Sequence, residues 1–87
     1  MAKAKQVDNV LEARKLRSQT SVLNSIAILT VAIDEKLSLS ESSRQHGYGR
    51  NYVSDVKARI ADNYAKKLIK RDTFNTFKRL LKAYNKL

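Results

Sequence analysis

Ser38-Leu-Ser-Glu-Ser-Ser-Arg-Gln-His-Gly-Tyr-Gly-Arg-Asn-Tyr-Val-Ser-Asp-Val-Lys-Ala58 is the stretch whose reading decides the fold. Ser38 to Glu41 fit a capping box, in which Ser38 caps a helix and Glu41 reaches back to the backbone of Ser38. That predicts a short helix over about 39–46. Gly47 ends it, since Gly takes a left-handed conformation most easily. Tyr48 and Gly49 make a tight connection. A second helix then starts near Arg50 and runs to about Ile69, with Val53, Val56, Ile60, Tyr64 and Leu68 on one stripe.

Outward from this stretch the helical pattern continues. Downstream, Asp72 or Thr73 is expected to cap a last helix over 72–87. Its residues Phe74, Phe77, Leu81 and Tyr84 step by 3, 4 and 3, a heptad-like spacing. That stripe suits packing inside the chain or a dimer interface equally. Upstream, Val22, Ile26, Leu29 and Ile33 repeat at helical spacing and predict a central helix over about 22–37. Ser18-Gln-Thr-Ser21 reads as a break and cap ahead of it. A thin helix over 8–17, with Val7, Val10, Leu11 and Leu16 on one side, precedes that break. Residues 1–5 are expected to fray.

The composition agrees with helices. The 87 residues include no Pro, two Gly and no Cys. The chain has room for one domain, 1–87, an all-α bundle of four to five helices. Without Cys there is no disulfide and no thiolate metal site, and the lone His46 cannot form a histidine cluster. The most apolar run, Val22 to Ile33, spans only about 18 Å as a helix, short of the ~30 Å hydrocarbon core of a membrane. With no targeting segment visible, a soluble cytoplasmic protein is the expectation.

Charge narrows the partner. The net charge is +10. Residues 1–43 carry +1 of it and residues 44–87 carry +9. A small chain this basic repels itself, so an anionic partner is expected. The cations are spread along periodic segments, which favours a folded basic face over a disordered arm.

Residues 39–58 resemble the helix-turn-helix of bacterial and phage DNA-binding proteins. Ser43 matches the small residue at the helix contact. Gly47, four residues later, matches the turn glycine, Tyr48 the apolar residue after it, and Val53 and Val56 the two apolar residues of the second helix. Ser42 and His46 stand where apolar residues are commoner. The resemblance implies a non-catalytic reader of double-stranded DNA, associated with the nucleoid and acting as a transcriptional regulator or repressor. The N-terminal end of the second helix would enter the major groove. Arg50, Asn51, Ser54 and Lys57 would contact bases. Arg suits guanine and Asn suits adenine. Ser40, Arg44, Gln45, Tyr48, Arg59, Lys66 and Lys67 would contact the phosphate backbone. A homodimer on a two-fold site is expected, with Phe74, Phe77, Leu81 and Tyr84 as the candidate interface.

Nothing in the sequence points to catalysis, a cofactor, a metal or a small-molecule substrate. Gly47-Tyr48-Gly49 lacks the third glycine and the preceding strand of a dinucleotide site. Two other readings compete. One is a basic bundle that coats nucleic acid without sequence preference. The other is a helical module for a membrane or protein partner, of the kind seen in bacteriocin immunity proteins.

Overall fold

One long helix organises the molecule. The computed structural model describes the backbone of residues 2–87 and the side chains of residues 10–87. Within it α1 runs unbroken over Ala2–Glu35. Then come α2 (Leu39–Gln45), α3 (Tyr52–Ala65) and α4 (Arg71–Asn85). The fold is an all-α bundle of four helices. Met1 and the side chains of residues 2–9 lie outside the described part, and so does the packing expected of Val7.

The expected break at Ser18–Ser21 does not occur, so one helix stands where two were expected. Ser and Thr favour caps because their hydroxyls bond the backbone, but inside a helix the same hydroxyl can bond the carbonyl four residues back. Ser25 Oγ donates to the Ser21 carbonyl at 3.0 Å, and Thr30 Oγ1 to that of Ile26 at 2.8 Å. Gln19 serves α4 instead of a cap: its Nε2 donates to Thr73 Oγ1 at 2.6 Å, and its Oε1 accepts from the Lys70 amide at 3.1 Å. This also corrects the start of the last helix. The cap position is Lys70, whose side chain makes no capping bond, and Thr73 is buried within the first turn.

α1 packs against all three other helices, whereas α2 and α4 do not touch. Val22, Ile28 and Leu29 of α1, Val53 and Ile60 of α3, Ile69, and Phe77 of α4 form the core. α4 starts beside Gln19 and shares that core, so it runs along the C-terminal half of α1. The N-terminal half of α1 extends beyond the bundle. At ~1.5 Å per residue its 34 residues make about 51 Å, which is the 52 Å long axis of the molecule. The radius of gyration, 14.6 Å, exceeds the roughly 12 Å of a globular chain of this length. Val10, Leu11 and Leu16 are 54%, 46% and 69% exposed there, so the described part of the thin stripe expected on this segment is left largely open.

The unbroken helix also removes the length argument against a membrane span. By length and composition Val10–Glu35 could cross one. In the bundle its Val22, Ser25, Ile28, Leu29 and Ala32 are instead covered by the other helices.

Three helices end on a residue in the left-handed conformation. After α2, the Gly47 amide bonds the Arg44 carbonyl at 2.9 Å and the Tyr48 amide bonds that of Ser43 at 2.9 Å. These two bonds make a Schellman cap around a left-handed residue. Gly47 is that residue, with φ +83°. α3 ends with the same pair, Lys67 to Tyr64 and Leu68 to Asn63, both 2.9 Å. α1 ends with Leu37 bonded to Ala32 at 3.0 Å. In these two caps the left-handed residue is a lysine, Lys67 (φ 61°) and Lys36 (φ 56°).

Candidate nucleic-acid interface

The capping box holds on its Ser38 side. The Glu41 amide donates to Ser38 Oγ at 3.1 Å, which sets the start of α2. One turn on, Ser42 and Ser43 are both fully buried against the bundle. Ser42 Oγ donates to the Ile28 carbonyl of α1 at 2.7 Å. His46 Nδ1 lies 2.8 Å from the Ser42 carbonyl. These two polar residues, which replace apolar ones of the helix-turn-helix pattern, thus tie α2 to α1 and close its last turn. Ser43 Oγ is buried with no partner.

Six residues, 46–51, separate α2 from α3, more than the three or four of a tight turn. The extra length arises because α3 starts at Tyr52 rather than near Arg50. Arg50 and Asn51 are turn residues, with Asn51 at the cap position and making no capping bond through its side chain. Helix α3 ends at Ala65, not near Ile69. The Tyr48 and Tyr52 rings stack at 4.3 Å between centroids, and Tyr52 Oη accepts from Asn24 Nδ2 at 3.3 Å. The stack and the bond fix the start of α3 against α1.

The residues expected at the bases, Arg50, Asn51, Ser54 and Lys57, are all exposed around the start of α3, while Val53 and Ile60 of the same helix are buried. Arg44 and Gln45 are exposed on the adjoining α2, and Ser40 and Tyr48 are half-buried. Asp55 and Ala58 are exposed as well. At 100° per residue they share the outer face with Asn51 and Ser54, more centrally than expected.

The residues expected at phosphates do not stay together. Lys66 and Lys67 lie about 22 Å of helix rise beyond Asn51, at the far end of α3. Lys66 is paired there with Asp62 at 3.0 Å. Arg59 instead lines a cleft of about 340 Å³ between α1 and α3, shared with Arg17, Ser18, Asp55 and Asn63. Sequence reasoning missed Arg17, because the expected break put it on a different helix from the core. A second cleft, about 750 Å³, lies at the foot of the α1 extension between Leu16, Gln19, Tyr64 and Leu68.

The stripe offered as a dimer surface is used within the chain. Phe77 is 1% exposed, and Phe74, Leu81 and Tyr84 pack against the core around it. Tyr64 stacks on Phe74 at 4.1 Å. The opposite face of α4 carries Arg71, Lys78, Arg79, Lys82 and Lys86, all exposed. The periodicity that marked the apolar stripe also placed these cations, a signal that went unread.

Among the described residues, the ion pairs are Lys66–Asp62 and Lys15–Glu12, and no group of His, Asp and Glu side chains is placed to hold a metal. No protein-family model, curated protein or solved structure matches the chain.

Proposed function

We propose that the chain is a non-catalytic DNA-binding protein in which α2, the Gly47 turn and α3 form the reading unit. One observation carries this reading. Arg50, Asn51 and Ser54 are exposed together at the start of a helix whose opposite side is buried, and Lys57 is exposed at the flank of that face. Arg44 and Gln45 stand beside them on the preceding helix. Such a unit presents paired donors to base edges and flanking donors to phosphates.

A reader this small buries little DNA surface, so two copies on a two-fold site are part of the proposal. With the α4 stripe inside the chain, the outer face of α1 is the surface suited to a second copy. From Ser18 to Ile33 that helix has no charged residue, and Leu23 on it is 49% exposed. Two +10 chains can approach there with the least repulsion.

Selection from randomised duplexes tests the reading. A consensus that Arg50→Ala and Asn51→Ala flatten, with non-specific binding kept, supports it. A second reading, coating without sequence preference, is favoured by the number of exposed cations outside the reading unit. Retention of duplexes with no consensus would select it. No retention even at low salt removes both.

A further inference from the structure

The outer face of α4 carries five exposed cations and one exposed acid, Asp72, at its start. Arg71, Lys78, Arg79, Lys82 and Lys86 are exposed along it, over about 22 Å of helix. No acidic residue follows Asp72. The Lys78 ammonium is anchored 5.2 Å from the centre of the Phe74 ring. Like charges in such a row repel, and an anionic partner relieves that repulsion.

The row also faces away from the reading unit. Gln19, which holds the start of α4, and Asn24, which holds the start of α3, are five residues apart on α1. At 100° per residue that is about 140° around the helix. α2 does not touch α4 at all. α3 meets α4 where Tyr64 stacks on Phe74, at the end of α3 away from Arg50, so the α4 row is separate from the reading end of α3.

We infer that the outer face of α4 binds the phosphate backbone of a second duplex segment, so that one molecule bridges two. The inference rests on the DNA-binding reading but uses a different surface. A bilayer surface fits the row less well. Helices that lie in a membrane interface bury an apolar face in it, and the apolar face of α4 is already occupied by the core. A row of Lys and Arg without base-reading geometry suits phosphates, which it would meet without sequence preference.

Co-capture tests this. The full chain is mixed with an immobilised duplex and a fluorescent duplex, and the fluorescence retained is measured. The triple variant Lys78→Gln, Lys82→Gln, Lys86→Gln is compared with a charge-matched control, Arg14→Gln, Lys15→Gln, Lys36→Gln. Five of the six side chains are exposed and Lys15 is half-buried beside Glu12, and circular dichroism checks that both proteins fold. The expected result is co-capture by wild type and control and at least a tenfold loss in the α4 variant, which still binds a single duplex. For the second duplex, the slope of log K against log salt should fall by about 3. Equal co-capture by both variants overturns the inference, as does a wild type that binds one duplex but never two. Failure to bind any duplex overturns the DNA reading and this inference together. Vesicles containing phosphatidylserine are the last arm. If the α4 variant loses vesicle binding while its co-capture is intact, the row is a membrane surface and the inference is wrong.

Discussion

Ser42 and Ser43 are adjacent, chemically identical and equally buried, yet they have opposite energetics. Ser42 donates to the Ile28 carbonyl, while the Ser43 hydroxyl has no partner. A net hydrogen bond contributes about 0.5–1.5 kcal/mol, and a buried unsatisfied group costs about 1–3 kcal/mol. Ser43→Ala is therefore expected to raise stability by about 1 kcal/mol, a rise of about 4–8 °C in Tm for a domain of this size. Ser42→Ala is expected to lower stability by a similar amount. Thermal unfolding of the two variants side by side checks both signs. Equal shifts would mean that the Ser43 hydroxyl does find a partner. Ser43 was legible in the sequence as a small contact residue. The role of Ser42 was not, because a serine at an apolar position gives no sign of a carbonyl on another helix within reach.

The helix ends show which elements could be read in advance. α2 carries its own punctuation, Ser38 and Gly47, and its predicted limits hold to within a residue. α1 and α3 end at lysines in the left-handed conformation, which look like any other helical lysine. Their expected ends accordingly ran on by two and four residues. A left-handed non-glycine residue costs roughly 1–2 kcal/mol, partly offset by the greater unfolded-state freedom of glycine. Lys36→Gly and Lys67→Gly are each expected to be neutral to stabilising by about 0.5 kcal/mol, unlike Lys→Gly inside a helix, which costs about 1 kcal/mol. The two turn glycines should separate in the same way. A Cβ at either meets nothing within 4 Å, but only Gly47 has a positive φ. Gly47→Ala should lose about 1 kcal/mol, and Gly49→Ala should lose nothing. Denaturant titration distinguishes these outcomes, and a shared loss would show that Gly49 also needs its conformational freedom.

At the scale of the molecule, every element leans on α1. The all-α class and the exposure of Arg50, Asn51, Ser54 and Lys57 followed from local pattern. The single rod did not, because Ser18–Ser21 looked like a break and the residues that engage Gln19 within it, Thr73 and Lys70, lie more than fifty positions away. The same reorganisation assigned the α4 stripe to the core and left the uncharged face of α1 as the proposed surface for a second copy. Leu23→Lys is therefore expected to convert a dimer to a monomer in sedimentation at about 10 µM, a concentration at which a Kd near 1 µM, worth about 8 kcal/mol, would keep most chains paired. A wild type already monomeric there would remove the α1 dimer from the proposal.

The dependence on α1 also sets an order of events in time. The uncharged run that ends at Ile33 is made early, while Phe77, which completes its cover, is made late. At a synthesis rate of about 5–20 residues per second, the intervening 44 residues take roughly 2–9 s. During that interval α2 and α3 are made, but α1 still lacks the cover that Phe77 and the rest of α4 supply. The bundle closes fully only once α4 has emerged.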